Sequence, residues 1–171
     1  MRALFALASL TALALAPAAH AAPVSVAPVA LSAEYQTKVD DEIGARDSQV
    51  LADFVTRTVS RQLTQRGASI ADGAPVRVEI TIVDADPNRP TWEEMRRTPG
   101  LSEFWSVSTG GAELSATLRG ADGRVLGEVS HRYFSNSLAD IVGSPDTWSD
   151  ANRATYRFAR KVADAYTANA R

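Results

Sequence analysis

Three carboxylates in the middle of the chain are the side chains best placed for acid–base chemistry. Asp84 and Asp86 lie two residues apart at the end of a predicted strand, and Glu94 lies in a short predicted helix. A hydrolase that uses paired carboxylates needs two such groups facing each other about 5 to 9 Å apart. The sequence favours a simpler use of each, as a turn former or as a charge near a helix N-terminus. A small carboxylate-dependent hydrolase is therefore kept as an alternative function.

Histidine and cysteine are scarce, which limits metal and nucleophilic chemistry. Beyond the N-terminal segment the only histidine is His131, in a predicted strand, and the chain has no cysteine. His131 is expected to be a hydrogen-bonded residue of the core or its rim. Metal-ligand clusters, phosphate-binding loops and dinucleotide-binding glycine motifs are absent from the sequence, so neither a metal nor a cofactor is predicted.

Metal dependence has a simple test. We expect EDTA to leave the melting temperature unchanged, because the sequence offers no set of ligands at metal-binding spacing. A fall of several degrees that one metal ion reverses would contradict this expectation.

The aromatic side chains of a long connection are the strongest candidates for binding. Residues 85–111 separate two predicted strands, where a hairpin uses about 2 to 5 residues. Long loops rich in aromatic residues often form recognition surfaces; alternatively, these side chains cover an open end of the sheet. The candidate binding residues are Trp92, Met95, Phe104 and Trp105, with Leu101 as a further apolar neighbour.

The two tryptophans of this connection are expected to differ. A capping box at Thr91 and Glu94 predicts a short helix, in which Trp92 and Met95 should pack together against the sheet. Trp105 directly follows another aromatic residue, and neighbours in an extended chain point opposite ways. We therefore expect one tryptophan to be packed and the other to be partly exposed.

Hydrophobic spacing predicts the elements that position these residues. Alternation predicts three strands with one buried face each: 76–84, 112–119 and 125–134. The inner face of the third should hold Val125, Gly127, Val129, His131 and Tyr133. Apolar residues at three- and four-residue intervals predict two helices, 47–66 and 147–169. Asp47 is expected to cap the first helix, and Thr147 with Asp150 to form a capping box for the second.

The order of elements predicts an α+β fold. An edge strand is predicted within 23–31, where Pro28 cannot donate to a ladder, while 32–45 is ambiguous between strand and loop. The order is then β-α-β-β-β-α. Because the strands alternate, one face of the sheet meets water, and both helices need cover for one apolar stripe. A two-layer sandwich, with two helices on one face of a mostly antiparallel sheet, satisfies both requirements.

The first 21 residues have the organisation of a secretory signal peptide. Arg2 supplies a positive charge, residues 3–16 are almost wholly apolar, and Ala19 and Ala21 offer small side chains before a cut. The apolar run is shorter than the roughly 20 residues that a spanning helix needs. We therefore expect cleavage after Ala21, one domain over 22–171, and a periplasmic location. Without cysteine, the mature protein should carry no lipid thioether and so should not be a lipoprotein.

The processing site can be measured directly. We expect protein recovered from cells to begin at Ala22, because the small residues before that position fit signal peptidase. An intact mass that retains Met1 would contradict the predicted compartment.

The charge balance argues against a nucleic-acid partner. The chain has 18 Lys and Arg against 20 Asp and Glu, a formal net charge of −2, whereas nucleic-acid-binding domains carry a basic patch. The mature sequence also has no second apolar run long enough to span a bilayer.

Four short stretches resemble small proteobacterial envelope proteins of unknown function. They are Asn88-Arg89-Pro90-Thr91, Pro99-Gly100-Leu101-Ser102, Gly110-Gly111-Ala112 and Asp146-Thr147-Trp148. Many proteins of that type are outer-membrane lipoproteins, from which this chain departs because it has no lipobox cysteine. The resemblance implies an envelope location, and it assigns no catalytic residue because these families have no established activity.

Together these patterns predict a non-enzymatic periplasmic domain. Its expected role is to bind another envelope component, either a protein or a transport or assembly complex. Two alternatives stay open: the carboxylate-dependent hydrolase, and a carrier of a small hydrophobic ligand held between sheet and helices.

Overall fold

Five strands and four α-helices follow one another in residues 22–140 and 145–169, the part of the chain that the computed structural model describes. In chain order they are β1 (Val24–Val26), β2 (Ala30–Leu31), α1 (Ala33–Lys38), α2 (Ala45–Gln65), β3 (Val76–Asp86), α3 (Trp92–Arg97), β4 (Gly111–Arg119), β5 (Val125–Phe134) and α4 (Ser149–Asn169). A π-helical segment, Val39–Ile43, joins α1 to α2, and a 3-10 turn, Leu138–Asp140, follows β5. The predicted signal peptide lies outside the described residues.

The sheet is mixed and mostly antiparallel. Its strand order is β1-β3-β4-β5, with β2 also beside β3. β1 and β2 run parallel to β3, whereas β3, β4 and β5 are antiparallel neighbours. Register places Val78 opposite Leu118 and Ile82 opposite Leu114, so the apolar residues of both strands share one face. Helices α2 and α4 cover that face, which confirms the predicted α+β class.

The core lies between this face of the sheet and the two long helices. The apolar stripes predicted from sequence are buried except at Phe54 on α2, which is half-buried. The buried members are Leu51, Val55, Val59 and Leu63 on α2, Trp148 just before α4, and Ala151, Thr155, Phe158, Val162 and Tyr166 on α4. Burying each large apolar side chain stabilises the fold by about 1.5–3 kcal/mol. Packing of these stripes against the sheet therefore fixes the positions of both helices and of the residues near their N-termini.

The segment left ambiguous by the sequence, 32–45, is helical. The Ser32 hydroxyl accepts the Tyr35 backbone N–H at 3.0 Å and so caps α1. Tyr35, Val39 and Ile43 are all buried, at four-residue intervals that place them on one side of the helix.

Helix caps differ from the prediction. α2 begins at Ala45, behind Gly44 with φ of 85°, so Asp47 lies in the first turn and its carboxylate instead accepts the Trp92 backbone N–H at 3.0 Å. The capping box expected between Thr147 and Asp150 does not form, because the Asp150 N–H donates to Asn88 at 2.8 Å and the Asp150 carboxylate binds Asn88, Ser135 and Arg153.

The inner face predicted for β5 is wrong at one residue, Val125. The register between β4 and β5 shifts after Leu118, so that Arg119 pairs with Val125 and Leu126 is left between two pairs. Val125 is 44% exposed, and Leu126 packs against the core in its place. The extra residue of β5 is a β-bulge, which interrupts the alternation of side chains and places Val125 outside the inner face.

None of the helices formed by residues 22–140 and 145–169 combines the length and the hydrophobicity that crossing a membrane requires.

Candidate functional site

A buried polar cluster holds the connection between β3 and β4, residues 87–110, to the rest of the fold. Asn88 is fully buried; its Nδ2 donates to Asp150 Oδ2 at 2.7 Å, and its Oδ1 accepts the Asp150 backbone N–H at 2.8 Å. The Ser135 hydroxyl donates to the same Asp150 oxygen at 2.7 Å, and Arg153 lies 3.2 Å from the other oxygen. We call Asn88, Ser135 and Asp150 the anchor cluster. It joins the connection to the end of β5 and to the first turn of α4.

Backbone groups beside the anchor cluster are paired as well. The Asn88 N–H donates to the Thr147 carbonyl at 2.8 Å, and the Ser108 N–H donates to the Asn88 carbonyl at 3.0 Å. The Ser135 N–H donates to the Gly110 carbonyl at 2.9 Å, and the Gly110 N–H donates to the Ser135 hydroxyl at 3.2 Å. Because an unpaired buried polar group costs about 1–3 kcal/mol, this pairing fixes both ends of the connection.

A turn at 102–106 presents two aromatic side chains, Phe104 and Trp105, which we call the aromatic tip. Hydroxyl groups of the turn satisfy its own backbone: the Ser102 N–H donates to Ser106 Oγ at 3.1 Å, and the Phe104 N–H donates to Ser102 Oγ at 3.2 Å. The Ser106 N–H also donates to the Ser102 carbonyl at 3.0 Å. These short-range bonds define the shape of the turn.

Arg89 ties the aromatic tip to the body of the protein. Its guanidinium donates to the carbonyls of Glu103 and Phe104 at 2.6 and 2.8 Å, and to the Pro145 carbonyl just before α4. Arginine suits this role because its planar fork of donors reaches several acceptors at once. The position of the tip is therefore set by Arg89 and, through the neighbouring Asn88, by the anchor cluster.

The large apolar side chains of the connection lie on the surface. Phe104 is 75% and Trp105 88% exposed, and Trp92 is 58% exposed. The expectation that one tryptophan packs against the end of the sheet is wrong: the Trp92 ring lies 5.8 Å from the Arg46 guanidinium in a cation–π contact, and Met95 is half-buried. The buried side chains of the connection are instead the polar Asn88 and Thr91.

A cavity of about 230 Å³ lies beside the aromatic tip. Its walls combine apolar and polar side chains of the connection: Pro87, Arg89, Pro90, Glu94, Leu101, Ser106, Val107 and Ser108. This volume is below the roughly 300–1,000 Å³ of typical small-molecule pockets. A cavity of this size accommodates one side chain of a partner.

The three carboxylates considered for hydrolysis have other partners. Lys38 lies 2.9 Å from Asp84 and also contacts Asp86, so both strand-end carboxylates share one ammonium group. Burial lowers the pKa of Lys38, but its hydrogen bonds to Asp86 and Asp84 outweigh this effect, and its pKa lies above the ordinary value. Glu94 completes the predicted capping box: its carboxylate accepts the Thr91 N–H at 2.7 Å. Asp84 and Asp86 therefore neutralise Lys38, and Glu94 fixes the start of α3.

His131 lies on the side of β5 that faces α4. Its Nδ1 is 3.4 Å from Lys161 Nζ, and its buried Nε2 has no hydrogen-bond partner in the described part of the chain. Burial lowers the pKa of His131, and the nearby charges of Lys161 and Arg157 lower it further. The folded protein therefore favours the neutral ring.

The lowered pKa predicts a pH-dependent stability. As the pH falls below about 6.5, the ordinary pKa of histidine, the unfolded chain binds a proton before the folded chain does, so the free energy of unfolding should fall until the folded pKa is reached. Urea unfolding of the wild type and of His131→Gln, at several values from about pH 7.5 to about pH 5, measures this. As the pH falls, the free energy of unfolding of the wild type should decrease relative to that of the variant. A difference that stays constant over this range would contradict a lowered pKa for His131.

The sequence reasoning missed the residues that hold the site. Asn88, Arg89, Ser135 and Asp150 were not among the predicted binding residues, which were the exposed apolar groups themselves. The sequence carries one indication of this role, because Asn88 and Arg89 stand between Pro87 and Pro90. Proline restricts the backbone conformation of the residue before it, and polar side chains in such segments often bind backbone groups.

Comparisons with known proteins show a likeness of fold. No family model matches the chain, and no curated protein is similar to it in sequence. A hypothetical protein from Chlamydia trachomatis superposes with a TM-score of 0.53 at 10% identity, covering 88% of this chain and 98% of that one. A PelC dodecamer from Paraburkholderia phytofirmans gives a TM-score of 0.49 at 13% identity over 90% of each chain.

A lipoprotein is also among the similar structures. A minor lipoprotein from Acinetobacter baumannii gives a TM-score of 0.38 at 11% identity, covering 86% of this chain and 93% of that one. At these identities the comparison concerns the fold alone. The expected resemblance to small bacterial envelope proteins is confirmed as a distant structural similarity.

Proposed function

We propose that this protein is a binding module of the bacterial cell envelope that docks onto a partner protein through its aromatic tip. The observation that carries the proposal is the exposure of Phe104 and Trp105, 75% and 88%, on a turn whose backbone is bonded to its own hydroxyls and to Arg89. A periplasmic location and a single domain over 22–171 belong to the same proposal, which the signal-like N-terminus supports.

The energetics favour a recognition role for these side chains. Tryptophan is enriched among residues that dominate binding energy, and burying each aromatic ring is worth about 1.5–3 kcal/mol. A turn that is already ordered loses little conformational entropy when it docks. Arg89 and the two serines therefore supply preorganisation, and Phe104 and Trp105 supply apolar contact area.

The surroundings of the tip fit a protein better than a lipid bilayer. Glu103 precedes the tip and is exposed, and Glu94 lines the adjacent cavity. Acidic groups are repelled by anionic headgroups, which attract basic segments. The cavity of about 230 Å³ also offers a recess for a partner side chain next to the protruding rings, and protein interfaces commonly pair such knobs and pockets.

The proposal predicts that tip variants bind poorly and fold normally. In cells, a photoreactive residue at position 105 should give a discrete crosslinked product, whereas one at the similarly apolar and exposed Leu138 (56% exposed) should not. With the purified crosslinked protein, Trp105→Ala should weaken binding about tenfold or more. Leu138→Ala should bind like the wild type.

Two controls separate the possible outcomes. The melting temperature of Trp105→Ala should stay close to that of the wild type, because an exposed ring contributes little to stability. A large loss of stability with unchanged binding would mean that the tip is part of the structural core. A shift of tryptophan fluorescence to shorter wavelength on adding anionic phospholipid vesicles, without protein binding, would replace the protein partner by a membrane surface.

A further inference from the structure

Strand β5 lies at one edge of the sheet that the described residues form. In the described residues β5 pairs only with β4 and is ten residues long. The Ser135 N–H donates to Gly110 across the two strands, and bonded and non-bonded pairs alternate along an antiparallel ladder. By this alternation, the residues that turn their backbone N–H and C=O groups away from β4 are Glu128, Ser130, Arg132 and Phe134.

A lysine contact agrees with this assignment. Lys161 Nζ on α4 donates to the Ser130 carbonyl at 3.2 Å, which requires that carbonyl to point away from β4. Unpaired strand edges are the usual sites of strand addition. The edge of β5 therefore presents backbone groups that can pair with another extended chain, which would compete with Lys161 for the Ser130 carbonyl.

The helix beside this edge is positively charged. Arg157 and Lys161 lie one turn apart on α4; the Arg157 guanidinium is 5.1 Å from the Tyr133 ring, and Lys161 is 3.4 Å from His131. Neither cation has a carboxylate partner in the part of the chain that the structure describes. Arg153, one turn before Arg157, donates to the Tyr133 hydroxyl at 2.9 Å but is paired with Asp150.

A further observation points to an incomplete layer at this edge. Three residues of β5 that face the helices are only half-buried: Val129, His131 and Tyr133. The β4 residues opposite them, Ala116, Leu114 and Ala112, are buried. The positive charges of Lys161 and Arg157 also act on His131, where they add to the lowering of its pKa that burial mainly causes.

We propose that the β5 edge binds an extended acidic peptide segment as an additional strand, with its Asp or Glu side chains facing Arg157 and Lys161. Backbone hydrogen bonds would supply affinity, and alternate acidic side chains would supply specificity. This surface is separate from the aromatic tip, so the inference goes beyond the proposed function.

Charge selects this occupant over a second copy of the chain. If two β5 edges paired antiparallel, the α4 helix of each copy would bring its own Arg157 and Lys161 toward the other. Like charges facing each other across an interface are unfavourable. An acidic strand meets the same groups with the opposite sign.

The probe is a synthetic peptide of about nine residues, long enough to run along the edge, with alternating Thr and Glu. We expect it to bind the full mature protein, to protect the amide protons of Ser130 and Arg132 from hydrogen exchange, and to bind more weakly as salt is raised. A peptide with Lys in place of Glu should not bind. Trp105→Ala should bind the acidic peptide like the wild type, which separates this site from the tip.

Three protein variants locate the contact. Ser130→Pro removes an N–H that faces away from β4, a position where edge strands tolerate proline, and should abolish binding. The double variant Arg157→Glu, Lys161→Glu should weaken binding about tenfold or more. Arg61→Glu, which changes an exposed cation on α2, should change the affinity less than about twofold.

Several outcomes would overturn the proposal. The acidic peptide could fail to bind, or the acidic and lysine peptides could bind equally well. Full binding by a folded Ser130→Pro variant would also contradict the proposal, because it would indicate ion pairing on the helix without strand addition. Sedimentation as a dimer in which the same amides are protected would assign the edge to a second copy. If a variant fails to fold, the wild type still tests the proposal, because binding of the acidic peptide without protection of the Ser130 and Arg132 amides would contradict strand addition.

Discussion

Replacing Asp150 by alanine should lower the free energy of unfolding by about 3 to 5 kcal/mol. The carboxylate is 2% exposed and accepts hydrogen bonds from Asn88 and Ser135, each at 2.7 Å. Alanine would remove the 2.7 Å acceptor of both groups, leaving Asn88 Nδ2 with the Ser108 carbonyl at 3.2 Å and the Ser135 hydroxyl with the Gly110 carbonyl at 3.3 Å. It would also remove one partner of Arg153. A hydrogen bond to a charged group contributes about 1.5–3 kcal/mol, so losing two of them costs more than losing a single hydrogen bond.

Asp146→Ala is the matched control for this variant. Asp146 precedes the same helix and accepts the Ser149 hydroxyl at 2.8 Å, but this contact is exposed, so its removal should cost about 1 kcal/mol or less. At about 2–4 °C per kcal/mol for a chain of this size, thermal unfolding should separate the two variants clearly. Equal melting temperatures would show that the anchor cluster does not hold the connection.

A double-mutant cycle tests whether the anchor cluster acts as a unit. Ser135→Ala and Asp150→Ala remove the two ends of one hydrogen bond, so their combined effect should be smaller than the sum of the single effects. We expect a coupling of about 0.5–3 kcal/mol, the range for contacting residues. Strict additivity would contradict direct coupling between Ser135 and Asp150.

The secondary structure was largely predictable because hydrophobic burial determines it. The strand predicted over 125–134 has those bounds, and the helix predicted over 47–66 spans Ala45–Gln65. In both, the alternation or helical spacing of apolar residues reflects a face buried against the core. The capping box of Thr91 and Glu94 was also predictable, since both of its hydrogen bonds are local in sequence.

The candidate site was less predictable because its burial pattern opposes hydropathy. In the connection, the buried side chains are Asn88 and Thr91, whereas Phe104 and Trp105 are exposed. Reasoning from sequence assigns large apolar groups to the interior, and it cannot detect a partner 62 residues away, such as Asp150 for Asn88. The buried polar contacts that decide the path of the connection depend on tertiary structure alone.

The helical segment at 32–45 illustrates a different cause. Its buried residues Tyr35, Val39 and Ile43 have helical spacing, but polar residues surround them and a short strand precedes them, so the helical period is weak in the sequence.

Two parallel strands, β1 and β2, pair with β3 on either side of Pro28, which is consistent with the predicted break at that residue.

Replacing Gly111 by alanine should destabilise the protein by about 3 kcal/mol, although it adds one methyl group. A Cβ at this position would lie less than 3.0 Å from the Tyr133 carbonyl oxygen and from Phe134 Cα. Both are backbone atoms of β5, so no side-chain rotation relieves the contact. β4 and β5 would have to separate where Gly110 and Ser135 exchange their hydrogen bonds, next to the anchor cluster.

Gly127→Ala on the facing strand is the control that makes the Gly111 result specific. A Cβ there would meet Asn169 at 3.5 Å and Ala165 at 3.9 Å, both ordinary van der Waals distances. This variant should be neutral or stabilising by about 0.4–1 kcal/mol, because alanine has fewer unfolded conformations to lose. Urea unfolding of both variants measures the contrast. Equal destabilisation would point to a general sensitivity of the two strands to substitution, whereas a stable Gly111→Ala would mean that β5 can move away from β4 at little cost.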